Sequence, residues 1–390
     1  LYLRGDKGLT NVYLIRHAEA EGNLFRRVHG HYNSGITENG YRQIERLRDR
    51  FSSIDIDAVY SSDLARTKAT ARAVSEPKNL EIIAIPELRE INLGKWEDLT
   101  WGELLVSYPA EYDLWSKQPD KFNISGGETH FDVYRRMKNA LDTVVKKHSG
   151  KNIALVSHGA AIRALICGIM HNESLSCLNE IGWCDNTAVS LISADDSLNY
   201  KIEYINDNSH LNELSTLSKQ VWWRKSDDPS LFNLRFIKAS LPDDLNKLLC
   251  YYKKTWDHVF GDDLIDLKYA KRLFTNVLNR DGRSIVFAYR NSEELGVIIL
   301  DPCSSPLPEA GHVSLIFLEE KYRGMGFGAQ LIGHAVSVYR SMNKKYVSVR
   351  VSKDNAHALH FYGKLGFKEH SREKNGGFTQ ILLTKSISLN

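Results

Sequence analysis

Two short apolar runs, each ending in a histidine, constrain this chain more than anything else in it. Val12-Tyr13-Leu14-Ile15 leads into Arg16-His17, and Asn152-Ile153-Ala154-Leu155-Val156-Ser157 leads into His158-Gly159. The first run is too short for a helix and β-branched at two positions, and so reads as a buried strand; the second repeats the plan. A third strand end, Ala58-Val59-Tyr60-Ser61, continues as Ser62-Asp63-Leu64-Ala65-Arg66-Thr67, with an arginine in the first turn of a helix. A fourth stretch, Glu87-Leu88-Arg89-Glu90, supplies carboxylates. Strands alternating with helices imply a three-layer α/β unit. Such sheets bind ligands outside the carboxyl ends of their strands. If these strands share one parallel sheet, two histidines, two arginines and a carboxylate converge, which makes a site for a dianionic phosphoryl group.

Arg16-His17 with Asn23, Ser61 to Thr67, Leu88-Arg89-Glu90 with Gly94 and Trp96-Glu97, and Ser157-His158-Gly159 fall in one order along the chain. In that order they resemble the histidine phosphatase, or phosphoglycerate-mutase-like, superfamily over about residues 10–205. The resemblance implies that His17 is the nucleophile and carries the phosphoryl group as a covalent intermediate. Arg16 and Arg66 would bind its oxygens, with His158 as a third cationic contact and Asn23 as a neutral donor. Gly159 would allow close backbone approach to the phosphate. Glu90 would protonate the leaving oxygen and later activate water, with Glu87 as the local competitor. Trp96 and Glu97 would buttress that loop. The short path from Glu90 to His158 and the Arg-His-Ala-Glu wording favour hydrolysis; a mutase-type phosphotransferase is the alternative. A different alternative is a phospholigand-binding regulatory module attached to an active acetyltransferase. No metal is expected, because the histidines lack ligand partners at metal-binding spacing.

The chain of 390 residues is long for one core, so two domains are expected. The expected division is a first domain over 1–205, a linker over 206–232 and a second domain over 233–390. Trp222-Trp223 would dock the linker or belong to the next unit. A net charge of +3 is too small to argue for nucleic acid. No run of eighteen apolar residues suggests a membrane span. Cys167, Cys177, Cys184, Cys250 and Cys303 are odd in number and form no CxxC pair, which fits a reducing cytoplasm. The opening Leu1-Tyr2-Leu3-Arg4-Gly5-Asp6 lacks a signal-peptide core and does not begin with Met, so its first positions read as trimmed or tag-derived. The oligomeric state has no sequence signal.

In the second domain, Ser284 to Tyr289 and Glu294 to Leu300 form a hairpin, and His312 to Leu318 and Tyr346 to Val351 are strand-like. Between the last two lies Arg323-Gly324-Met325-Gly326-Phe327-Gly328. Its glycines let backbone N–H groups at a helix N-terminus face an anion. A dinucleotide fingerprint would need an acidic partner about twenty residues on, and that does not fit well. With Asn355, Ala358 and Phe361-Tyr362-Gly363-Lys364-Leu365-Gly366-Phe367, the stretch resembles a Gcn5-related N-acetyltransferase, GNAT, over roughly 233–388. The resemblance implies a mixed-sheet α+β fold, and a pyrophosphate-binding loop for acetyl-CoA formed by Arg323 to Gly328. It further implies cofactor orientation by a splayed strand near Phe317 and Leu318, with Asn355 fixing the cofactor arm or strand end. Tyr362 would protonate the departing thiolate. Glu319 or Glu320 would help deprotonate the amine. The whole reads as a bifunctional enzyme whose partners are a small phosphorylated molecule and an amine acceptor, with neither nucleic acid nor membrane.

Overall fold

The computed structural model describes residues 8–220, 229–260, 265–375 and 378–389. Trp222-Trp223 and the opening residues 1–6 lie outside the described residues. The chain divides into two compact units, one of residues 1–23, 28–99 and 104–227, the other of 24–27, 100–103 and 228–390. The described residues 206–220, expected to connect, cluster with the first unit.

The first unit is built on a six-stranded sheet in the order β3-β2-β4-β1-β5-β6. The strands are β1 (Thr10–Arg16), β2 (Ala58–Ser61), β3 (Ile82–Ala84), β4 (Asn152–Ser157), β5 (Val189–Ala194) and β6 (Tyr200–Asp207). β1 to β4 run parallel, while β5 and β6 join antiparallel at one edge. Side chains of a strand alternate between its faces. Tyr13 and Ile15 therefore pack with Val59, Ala154 and Val156 against helices Glu38–Phe51 and Ala65–Ser75. Thr37 caps the first of these helices by accepting from the Gly40 amide, and Ile44, Leu47 and Phe51 form its buried stripe. Helices His130–Lys147 and Gly159–Met170 pack against each other, and the second also packs on β1. Residues 98–125 form a helical cap, with helices Trp101–Ser107 and Pro109–Lys117 and a short turn at Pro119–Lys121. Trp115 anchors this cap, 6.2 Å from Trp96, 5.0 Å from Phe122 and 5.2 Å from His130, measured between rings.

The second unit carries a seven-stranded mixed sheet, β12-β13-β11-β10-β9-β8-β7. Its strands are β7 (Arg235–Lys238), β8 (Ile285–Arg290), β9 (Glu293–Asp301), β10 (Ala310–Leu318), β11 (Tyr346–Ser352), β12 (Lys368–Asn375) and β13 (Phe378–Ser386). The β8–β9 hairpin turns at Asn291, which adopts φ +53°. β10 and β11 form the parallel pair, and it is incomplete: register runs from Ala310–Tyr346 to Val313–Val349 and stops. Beyond Val313 the two strands diverge while β10 stays paired with β9 through Leu318. The irregularity in that second ladder falls between Val313 and Leu315, where a bulge bends the strand. Helices Leu245–Phe260 and Leu267–Arg280 cover one face, and Phe327–Ser341 and Ala356–Lys364 the other.

Candidate active sites

In the first unit, strand register positions the two histidines. β1 and β4 are adjacent, parallel and paired Arg16 to Ser157, so the residues that follow leave the sheet side by side. The His17 and His158 rings lie 5.2 Å apart. β2 ends one strand over, with Ser61 paired to Val156. This puts the Ser62 hydroxyl 3.0 Å from His158 Nε2 and the Arg66 Nε 3.2 Å from His158 Nδ1. Arginine nitrogen can only donate, so His158 Nδ1 accepts and Nε2 carries the hydrogen.

His17 Nδ1 sits 2.7 Å from the Ala18 carbonyl, an acceptor, which makes Nδ1 the protonated nitrogen and leaves the Nε2 lone pair free for attack. Burial, and then the positive charges of Arg66 and Arg16, hold the His17 pKa well below the usual 6.5. The ring is thus a free base at neutral pH. The same causes, burial first and Arg66 next, keep His158 well below 6.5. His158 was expected as a third cation; without a bound anion, burial and the Arg66 charge favour its neutral form, which donates from Nε2.

Arg66 is fully buried, and its guanidinium spans the His29, Gly30 and Tyr32 carbonyls at 2.9, 2.7 and 3.1 Å. Burial brings its pKa down to about 10, so it stays charged. Arg16 donates to the Cys184 carbonyl at 2.6 Å and to Gln220 Oε1 at 3.2 Å. Beside the two histidines, the buried donors Arg16 Nε and Asn23 Nδ2 have no partner among the described residues. Leaving such a donor unsatisfied costs about 1–3 kcal/mol. A phosphoryl oxygen would satisfy either. A methyl placed on Gly159 would stand 3.2 Å from Arg16 Nε, so the glycine leaves room for that guanidinium.

Glu90 is gathered to the start of the helix that begins at Gly159. Its carboxylate accepts from the Ala160 amide at 3.0 Å, the Ala161 amide at 2.9 Å and the Ile91 amide at 3.0 Å. Glu87 is not brought in: it is exposed, and its carbonyl receives Arg136 at 2.7 Å. Arg136 also reaches the Arg89 and Glu90 carbonyls and both oxygens of Glu128, so it staples the whole turn. Glu97 accepts from the Leu93, His31 and Tyr32 amides, the buttress expected of it.

Sequence reasoning passed over Ser62, Arg136, Asn186 and Gln220. Asn186 donates to the His17 carbonyl at 2.9 Å and receives Gln220 at 2.6 Å. A polar Asp185-Asn186-Thr187 triplet just ahead of an apolar strand was the available signal for it.

In the second unit the divergence of β10 and β11 opens a cleft of about 580 Å³. Ser314, Leu315 and Ile316 line it on β10, and Tyr362 and Asn355 line it opposite. The opening thus begins at Val313, ahead of Phe317 and Leu318, where the splay was expected. The Leu318 carbonyl instead receives Arg323 Nε at 3.0 Å. Gly324 and Gly326 adopt φ +75° and +85°, a conformation that disfavours any side chain. Gly326 is the N-cap of helix Phe327–Ser341, and no side chain caps its first amides. A methyl on Gly328 would meet the Phe361 ring at 2.9 Å. Phe327 is buried in the core, whereas Met325 is exposed. Asn355 caps the helix Ala356–Lys364 by accepting from the Ala358 amide at 3.0 Å. Tyr362 is buried, its hydroxyl has no hydrogen-bond partner among the described residues, and burial raises its pKa. Proton donation, not phenolate chemistry, is the use such a group suits. Glu319 is paired with Lys254 at 2.6 Å and Glu320 lies in the turn Glu320–Tyr322; the carboxylates that line the cleft are Asp266 and Glu373. This corrects the expectation for Glu319 and Glu320.

Among the described residues no group of three His, Cys, Asp or Glu side chains is placed to hold a metal ion, and no helix is long and apolar enough to cross a membrane.

Comparison with known proteins matches residues 12–208 to the histidine phosphatase superfamily (branch 1) and residues 245–367 to the acetyltransferase (GNAT) family. The chain is 34% identical over 205 residues to phosphoserine phosphatase 1 of Hydrogenobacter thermophilus, covering 53% of this chain and 96% of that protein. It is 34% identical over 166 residues to a probable phosphoglycerate mutase of Serratia proteamaculans, covering 42% of this chain and 75% of that one. Among solved structures it is similar to Bacillus stearothermophilus YhfR, with 30% identity, a TM-score of 0.50, and coverage of 52% of this chain and 98% of that chain.

Proposed function

Because the chain belongs to the histidine phosphatase superfamily, branch 1, with a GNAT acetyltransferase domain fused behind it, we propose a two-activity enzyme. Its first unit hydrolyses a small phosphomonoester through phosphohistidine at His17. Its second transfers acetyl from acetyl-CoA to an amine. The single observation that supports the first step best is the His17 tautomer, with Nδ1 donated to Ala18 and Nε2 free. A preset tautomer leaves no reorganisation to be done at the moment of attack.

Nε2 attacks phosphorus in line with the leaving oxygen. Arg16, Arg66 and the Asn23 amide hold the equatorial oxygens, where negative charge is spread. His158 Nε2–H turns from Ser62 to the phosphoryl group. A bound dianion beside it also favours the imidazolium, which strengthens that contact as charge develops. Glu90 protonates the leaving alkoxide and then takes a proton from the water that attacks phosphohistidine. In the second unit, acetyl-CoA supplies the thioester. Amides at the start of helix Phe327–Ser341 take its pyrophosphate, and Tyr362 returns a proton to the departing sulfur.

Phosphoserine is the first ester to test, after the relative named for it. The name of the Serratia relative favours a second reading, phosphate transfer between the hydroxyls of a phosphoglycerate. Phosphate release from phosphoserine in excess chelator, lost in His17→Ala, is the expected result. Isomerisation of phosphoglycerate without phosphate release would replace hydrolysis by transfer. Tight binding with neither reaction would leave the first unit as a phospholigand module. Acetyl-CoA titration of the same protein tests the second unit separately.

A further inference from the structure

His312 is a buried histidine that the chemistry above does not use. It lies on β10 one residue before the strand pair opens, and it is among the residues lining the cleft. Its Nδ1 is 3.0 Å from Ser348 Oγ on β11. Ser348 Oγ in turn reaches Ser305 Oγ at 3.0 Å and the Gly311 carbonyl at 3.3 Å. With the serine hydrogen directed to one of those oxygens, its lone pair receives Nδ1–H. The His312 Nε2 lone pair is left without a partner among the described residues. Ser305 is partly exposed, so the chain His312–Ser348–Ser305 runs from the cleft toward solvent.

The charged groups around the ring come from three strands: Arg350 on β11, Asp301 on β9 and Glu373 on β12. Arg350 is paired with Glu373 at 3.0 Å. Burial, and then Arg350, bring the imidazole down to about 4, against the pull of the two carboxylates. The ring is therefore an uncharged hydrogen-bond acceptor at any ordinary pH. The cleft wall nearest the helices Leu245–Phe260 and Leu267–Arg280 is aromatic, with Tyr252, Trp256 and Tyr269, and Asp266 stands beside it. That wall suits a primary amine with an apolar or aromatic body.

We propose that His312 Nε2 receives the acceptor amine and takes its proton during acetyl transfer, with Ser348 and Ser305 relaying that proton to solvent. The proposal rests on the acetyltransferase reading of this unit. The amine enters as R–NH2, donating one N–H to Nε2. Its lone pair forms the C–N bond to the thioester carbonyl carbon, and the nitrogen becomes cationic and far more acidic than a free ammonium. Nε2 takes one nitrogen proton, and Nδ1–H passes to Ser348 as the serine proton moves to Ser305. The C–S bond then breaks, and the thiolate takes a proton from Tyr362, which is reprotonated from solvent. The sum is R–NH2 and acetyl-CoA giving the amide and free thiol.

Wild type, His312→Gln and Ser348→Ala should be compared in the full chain. Acetyl-CoA affinity is read by calorimetry, and transfer to phenethylamine, with hydroxylamine as a nucleophile small enough for any cleft, is read across pH. Glutamine can accept the hydrogen bond but cannot carry the proton. The expected result is unchanged acetyl-CoA affinity in all three, a fall in kcat of about a hundredfold in His312→Gln, and a fall of about tenfold in Ser348→Ala. A nitrogen NMR shift of His312 Nε2 on adding phenethylamine without acetyl-CoA is also expected. Wild-type transfer that His312→Gln leaves intact overturns the assignment while the acetyltransferase reading stands. Acetyl-CoA binding without transfer to either nucleophile overturns it as well. Absence of acetyl-CoA binding overturns both.

Discussion

The two candidate sites solve the binding of phosphate in opposite ways. In the first unit the anion would meet side chains: Arg16, Arg66, His17 and His158, all buried and held by other residues before any ligand arrives. In the second it would meet backbone, at the glycine turn that caps helix Phe327–Ser341. Phosphoryl transfer develops charge that must be met by rigid, desolvated cations. A pyrophosphate that only anchors a cofactor needs no such charge, and amides at a helix start suffice. The buried cations come with a cost, unsatisfied donors and a depressed histidine pair; the glycine turn instead forbids side chains at two positive-φ positions.

The sharpest way to break this contrast is at Arg66. Arg66→Lys keeps the charge but cannot span three carbonyls and His158 at once. Phosphatase kcat/KM should fall by about a hundredfold to a thousandfold, with acetyl-CoA affinity unchanged. The mirror test is Gly326→Ala, which forces a side chain into φ +85° at a strain of about 1–2 kcal/mol. Acetyl-CoA affinity should drop roughly tenfold by calorimetry while phosphate release is untouched. Loss of both activities from either variant would mean that the sites are not independent.

Acid should weaken both units, for one reason. His17 and His158 in the first unit, and His312 and His334 in the second, have folded pKa values depressed below 6.5, the latter two to about 4. Below pH 6.5 the unfolded chain binds protons that the folded chain refuses, so stability falls as pH drops from about 6.5 toward 4. The slope is up to about 1.4 kcal/mol per pH unit for each such histidine. Urea midpoints measured between pH 7 and 4.5 should decline steadily; a flat profile would show that these rings are not neutral in the folded protein. The smallest expected effect is at Glu87→Gln, which should leave phosphate release within about twofold, whereas Glu90→Gln should lower it by about a hundredfold.

Much of this was legible because the chemistry sits where the sequence changes character. His17, His158 and Arg66 follow apolar runs directly, and parallel register then does the assembling. Gly326 and Gly328 stand out in the sequence because two glycines so close read as a turn rather than a helix interior; Gly326 is the turn, whereas Gly328 lies in the first turn of helix Phe327–Ser341. The residues that went unread act at long range. Gln220 touches Arg16 from a polar stretch with no periodicity, and Arg136 looks like any exposed-face arginine of helix His130–Lys147 until the Glu87–Glu90 turn folds over it. Glu319 and Glu320 were misjudged because proximity in sequence to a splayed strand does not say which way a side chain points, whereas Glu373, distant in sequence, lines the cleft. The protonation of His158 is likewise a property of burial, which no motif carries.

The measurement that bears most directly on the account is phosphorylation of the enzyme itself. Labelled phosphoserine, mixed with enzyme and quenched in alkali within milliseconds, should leave an acid-labile phosphohistidine on the peptide that contains His17 and none in His17→Ala. Phosphate release with label on another residue, or with no enzyme-bound phosphate at any time, would contradict the covalent mechanism on which the first site is read.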